Sequence, residues 1–137
     1  MLDLVEFRTG AVAFALAFVV AGLFTLAFKV IYQLVTPYRE RQLIREGNVA
    51  AALALAGALI GYVLPLASAL SQTVSLPEFA IWAAMAGVIQ IVAFTLVRII
   101  ALPDVKQRIE NGEISTAIYL MAISLAVGVL NAASMTS

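Results

Sequence analysis

The chain has 137 residues, 64% hydrophobic and 12% charged, with eight basic and eight acidic side chains and a formal net charge of zero. A soluble domain carries about 25% charged residues, so this composition excludes a water-exposed surface over most of the molecule. Neutral charge without a basic, aromatic-lined face argues against nucleic acid as a partner. The absence of Cys and His excludes disulfides, thiol chemistry, Cys/His zinc sites and histidine acid–base catalysis.

The leader, residues 1–9, carries Asp3, Glu6 and Arg8 rather than a basic cluster. The apolar run behind it, residues 10–35, exceeds the about 7–15 residues of a cleavable signal core, so it is expected to persist as a helix. Three more apolar segments follow at residues 49–70, 79–101 and 114–135. Each is long enough to cross about 30 Å of hydrocarbon, and backbone groups in lipid must bond within their own segment, so all four are predicted to be transmembrane helices.

The first segment holds Thr25 at mid-depth, Lys29 near its end, and the stripe Ala13, Ala17 and Ala21. Thr36-Pro37 then opens a charged turn that closes at Gly47. Proline suits the first position of a helix and glycine a left-handed C-terminal residue, so a short amphipathic helix is expected between them. The alternative is a plain extension of the membrane helix. Leu43 and Ile44 would face acyl chains, and Asn48 would cap the second span.

In the second span, Gly57 and Gly61 form a GxxxG, and Pro65 leaves the carbonyl of Gly61 without its usual donor, predicting a kink. The loop at residues 71–78 has no Lys or Arg. The third span carries Ala83, Gly87, Gln90, Thr95 and Arg98. A second charged turn runs from Leu102-Pro103 to Gly112, with Val105 and Ile109 as its apolar side and Glu113 or Ser115 as the next cap. The fourth span carries Ala122, Ser124, Ala126, Gly128 and Asn131.

Displaced by 65 residues, the second half reads as a reworked copy of the first: Gln42 falls on Gln107, Ile44 on Ile109, Gly47 on Gly112, Ala52 on Ala117 and Leu55 on Leu120. The expected fold is therefore all-α and polytopic, four transmembrane helices as two tandem parallel hairpins with short amphipathic cytoplasmic turns. Residues 1–71 form the first hairpin repeat and 72–137 the second, within one membrane domain. Arg39, Arg41, Arg45, Lys106 and Arg108 lie in the turns, with Lys29 and Arg98 just before them, whereas the other side has Arg8 alone. The positive-inside rule places both turns in the cytoplasm and both termini outside. Two crossings per repeat give both copies one orientation, unlike the inverted repeats of many transporters.

Lipid gives helices no hydrophobic reason to associate, so close backbone approach must hold them. Gly57, Gly61, Ala83, Gly87, Ala122, Ala126 and Gly128 are the expected packing positions, either within the four-helix unit or between subunits. Thr25, Gln90, Ser124 and Asn131 are candidates for a polar path, against the simpler reading as interhelical hydrogen bonds. Lys29 and Arg98 are candidate inner-mouth charges, against the simpler reading that they snorkel to the headgroups. Glu40, Glu46, Asp104, Glu110 and Glu113 read as solvated surface. No acidic residue lies in a span, which argues against a proton- or sodium-coupled carrier.

The stretch Glu46-Gly-Asn-Val-Ala-Ala-Ala-Leu-Ala-Leu-Ala-Gly-Ala-Leu-Ile-Gly and the ending Ser-Leu-Ala-Val-Gly-Val-Leu-Asn-Ala-Ala from Ser124 resemble the bacterial family called domain of unknown function 350. The resemblance covers nearly the whole chain, including the duplication and the four spans. The second turn departs from it, with Asn-Gly-Glu from Asn111 where a closer copy would have Gly-Asn. The resemblance implies a small protein of the bacterial inner membrane and transfers no activity. Together these readings predict a non-enzymatic, self-associating membrane component or partner-holding subunit. It would need no catalytic residues, metal or cofactor, and would contact the lipid bilayer, copies of itself and a cytoplasmic protein. An oligomeric channel or small-solute transporter is the alternative.

Overall fold

A computed structural model describes residues 3–101 and 103–135. The chain is an all-α polytopic membrane protein. Its elements are α1 (Leu4–Val35), α2 (Glu40–Arg45), α3 (Val49–Gln72), α4 (Leu76–Ile100), α5 (Val105–Glu110) and α6 (Ile114–Ser134). The four long helices, α1, α3, α4 and α6, are apolar and long enough to cross a membrane. The short α2 and α5 both lie at one end of the bundle, the charged end.

Local chemistry sets most boundaries. Asp3 caps α1 by accepting from the Val5 N–H, Asn48 caps α3 by accepting from Ala51, and Ser75 caps α4 by accepting from Glu78. Gly47 and Gly112 end α2 and α5 at φ +85° and +75°, a conformation glycine adopts without strain. Behind them the amides of Asn48 and Glu113 reach back to the carbonyls of Leu43 and Arg108, a Schellman arrangement in both turns. The prolines act differently from expectation. Pro37 and Pro103 lie before Arg39 and Asp104, the N-cap positions, rather than on the first helical turn. They break the chain between span and turn, so α2 and α5 are separate helices and not extensions.

The core is the contact between α3 and α6. A Cβ on Gly57 would stand 2.6 Å from the Met121 Cα, and one on Gly61 would stand 2.5 Å from the Ser124 carbonyl oxygen. A Cβ on Gly128 would overlap the Gly61 carbonyl oxygen itself. That carbonyl is the one Pro65 leaves without an N–H donor. It lies against Gly128, whose missing side chain leaves room for it. Helix α3 nevertheless runs unbroken past Pro65.

Aromatic side chains attach α1 to this core. Phe28 stacks on Tyr62 with ring centroids 4.4 Å apart, Phe24 meets Phe79 edge-on at 5.8 Å, and Tyr32 meets Phe94 at 4.9 Å. The Tyr62 hydroxyl donates to the Ala83 carbonyl at 3.0 Å, tying α3 to α4. Gly87 makes room for the same ring. The contacts of α1 all lie in its C-terminal half, toward the charged turn. From Leu4 to Val19 the large apolar side chains of α1 are exposed.

Candidate functional site

Two buried polar groupings stand out, one within the bundle and one beneath α2. In the first, Gln90 of α4 meets α6. Its Nε2 lies 3.4 Å from the Ser124 carbonyl, and its Oε1 accepts from Asn131 Nδ2 at 3.3 Å. Asn131 also donates to the Ala86 carbonyl at 3.2 Å. Three of the four candidate path residues are therefore together, and Thr25 is not among them. Its hydroxyl bonds back to the Ala21 carbonyl on its own helix at 2.9 Å. The node is tightly packed: a Cβ on Gly61 would lie 3.1 Å from Gln90 Nε2.

The second grouping was not anticipated. Arg98 is buried, with its guanidinium carbon 4.2 Å above the Phe94 ring centre. Beside it stand Tyr32 of α1, Tyr38 of the turn and Glu40, the first residue of α2. Glu40 was expected on the solvated surface and is instead 2% exposed. Lys29, half-buried on α1, also faces it. The Tyr32 and Tyr38 hydroxyls, both Glu40 carboxylate oxygens, and Nε and Nη1 of Arg98 are all buried without a partner in full hydrogen-bond geometry, although Tyr32 and Gln33 stand near enough to act on Glu40, and Tyr38 on Tyr32. Burial pushes the Glu40 carboxyl up to about 7 and the Tyr38 phenol up to about 12, because neither anion is well solvated there.

A signal for Glu40 exists in the sequence. Glu40 and Val105 each open their short helix, and both are buried. A carboxylate thus occupies a position where the other turn places an apolar side chain. Val105 and Ile109 correspondingly pack into the core, not against acyl chains.

The two turns are bound to each other. Asn48 Nδ2 donates to the carbonyl of Ile109 at 2.8 Å, from one turn to the other. Glu113, which opens α6, cannot return that bond because a carboxylate has no donor. It accepts from Arg108 Nη1 at 3.0 Å and from the Thr116 hydroxyl at 2.8 Å, and caps no backbone amide. Arg108 also bonds Asp104 at 3.0 Å. These bonds hold the Asp104 and Glu113 carboxyls below the usual range. Both pairs are exposed, so they add little stability.

Of the expected packing positions, Gly57, Gly61, Ala83 and Gly128 are buried and Gly87 is half-buried against Tyr62. Ala122 and Ala126 are exposed and take no part in packing within the bundle. The inward face of α6 carries Ala117, Leu120, Ser124, Gly128 and Asn131 instead. No group of His, Cys, Asp or Glu among the described residues could hold a metal.

The profile of the family described as Domain of Unknown Function (DUF350) matches residues 6–135. The chain belongs to the DUF350 family. Within that family's range it is similar to the UPF0719 inner membrane protein YjfL of Escherichia coli (strain K12), 39% identical over 124 residues, covering 90% of this chain and 93% of the relative. The YjfL protein of Escherichia coli O157:H7 matches with the same identity and coverage. No solved structure matches this DUF350 chain. The relatives' description as inner membrane proteins agrees with the apolar helices, and the family's description names no reaction.

Proposed function

We propose that this DUF350 protein is a non-enzymatic component of the bacterial inner membrane that works by associating with copies of itself or by holding a cytoplasmic partner. The supporting observation is the state of α1. Phe28 and Tyr32 are its only buried residues among 32. Phe14 and Phe18 stack on each other at 6.3 Å and are 73% and 70% exposed. A helix fastened by one half leaves the other half available to a neighbour, and the exposed Ala122 and Ala126 of α6 offer a surface that a second backbone can approach.

The inner-membrane location is inferred from the relatives' names. The charged turns are placed in the cytoplasm and both termini outside, because Arg39, Arg41, Arg45, Lys106 and Arg108 share the end that Asn48 ties together. The halves read as tandem repeats, since α2 and α5, and likewise α3 and α6, begin 65 residues apart. Native mass spectrometry from mild detergent, with crosslinking through a cysteine at Phe14, tests association. A dimer or larger species crosslinked through Phe14 is expected. A lone monomer without any crosslinked partner would defeat the proposal.

A channel is the second reading, favoured by one observation. Gln90, Phe94 and Arg98 stand on the same buried face of α4, so the two polar groupings are separated by the Phe94 ring. Under this reading Phe94 is a plug, and Phe94→Ala raises ion flux in proteoliposomes. Flux equal to empty vesicles for both proteins would dismiss it.

A further inference from the structure

Taken as a set, the unpartnered groups beneath α2 have the composition of a ligand site. Tyr32, Tyr38, Glu40 and Arg98 are each more than nine-tenths buried. Nε and Nη1 of Arg98 lie on either side of Cδ, so each offers a separate charged N–H donor. The two phenols supply two O–H donors. Arg98 and Glu40 form no ion pair, although they are close enough to influence each other. Leaving a charged group buried without partners is expensive, and a small bridging species removes that cost.

Two clefts flank the grouping. A cleft of about 700 Å³ has Tyr38 and Glu40 in its wall and Arg39, Arg41 and Arg45 around it. A second, of about 360 Å³, has Arg98 in its wall, and Pro37 lines both. The approach is thus cationic, and most of the unpartnered groups are donors.

We propose that Tyr32, Tyr38, Glu40 and Arg98 form a binding site for an oxyanion, a phosphate or sulfate group reached through the arginine-lined cleft. The anion accepts from a guanidinium N–H of Arg98 and from the two phenols. An ionised Glu40 opposes it, whereas a protonated Glu40 adds a further O–H donor, so the anion enters together with one proton on Glu40. The groups facing Glu40 are Lys29, Tyr32 and Gln33 on α1, Tyr38 in the turn and Arg98 on α4, and none of them is another carboxyl. The phosphate can belong to a free ion or to a lipid headgroup at the same interface.

The test uses the full chain in phosphatidylcholine nanodiscs, titrated calorimetrically with sulfate, whose charge is constant over the pH range. Sulfate is expected to bind, with an affinity that falls about tenfold between roughly pH 6 and pH 8 as Glu40 ionises. Arg98→Gln should weaken binding about tenfold or more. Glu40→Gln should bind equally at both pH values. Tyr38→Phe should weaken binding a few-fold with the pH dependence intact, and it serves with Glu40→Gln should Arg98→Gln not fold. The second arm replaces sulfate with phosphatidylglycerol and counts retained lipid by native mass spectrometry. Retention that is lost in the Arg98→Gln or Tyr38→Phe variant, without sulfate binding, identifies a headgroup as the source. Binding of neither probe, or binding altered only by changes at Arg39, Arg41 and Arg45, would overturn the site.

Discussion

Glu40 illustrates how a single side chain escapes sequence patterning. A turn dense in Arg, Glu and Gln reads as solvated, because charge there is the ordinary state. What the sequence does not show is that α2 packs back against α3 with its first residue buried. Burial raises the Glu40 carboxyl from an ordinary 4.5 to about 7, so the folded protein holds this proton more tightly than the unfolded chain. Stability from this group is therefore fully present below about pH 4.5, is lost as pH rises to about 7, and stays lost above. Glu40→Gln should remove that slope and raise the melting temperature at pH 8, by the equivalent of about 3 kcal/mol at most. Parallel melting curves for the two proteins in detergent across that pH window would contradict the burial. Asn48 was the more legible residue, since Gly-Asn before an apolar run signals a cap. Its reach to Ile109 was not legible, because that bond joins residues 61 apart in sequence. Asn48→Ala should cost about 1–2 kcal/mol in thermal stability, the loss of a cap together with an interhelical bond.

At the scale of the helix, glycines separate what spacing predicts from what it cannot. The GxxxG of Gly57 and Gly61 announced a close contact, and α3 makes one. The partner face on α6 is only partly legible: small residues occur on every side of that segment, and Gly128 shares its buried face with Ser124 and Asn131. Gly128, and not Ala122 or Ala126, meets Gly61. The obstacle to a Cβ on Gly61 or Gly128 is backbone, which cannot swing aside. Gly61→Ala and Gly128→Ala should each destabilise the protein by about 1–3 kcal/mol. Gly10 and Gly22 of α1 have open space where a Cβ would go. Gly10→Ala and Gly22→Ala should be neutral or stabilising by up to about 1 kcal/mol. Thermal melts of the four variants under one condition check the contrast, and equal effects at all four positions would show that α3 and α6 are not in backbone contact. The helix boundaries themselves were largely legible, because proline, glycine and capping residues act locally. The pairing of α1 with Phe79, Tyr62 and Phe94 was not, because aromatic side chains occur on exposed and buried faces alike.

For the whole molecule, composition alone required the membrane, and hydrophobic lengths required four crossings. The structure adds that the two charged turns meet at one end. The candidate sites lie along that axis, with Gln90 and Asn131 within the bundle and Arg98 and Glu40 under the turns. Only part of this was legible, since an apolar span reveals its depth in the bilayer better than its rotation about its own axis. The account rests on both turns facing the cytoplasm. The chain has no native cysteine, so single cysteines can be placed at Arg41, Lys106, Thr9 and Val74 and probed with an impermeant maleimide on intact and permeabilised cells. The account predicts that Thr9→Cys and Val74→Cys label in intact cells once the outer membrane is passed, whereas Arg41→Cys and Lys106→Cys label only after the inner membrane is opened. Labelling of Arg41→Cys and Lys106→Cys from opposite sides would contradict it.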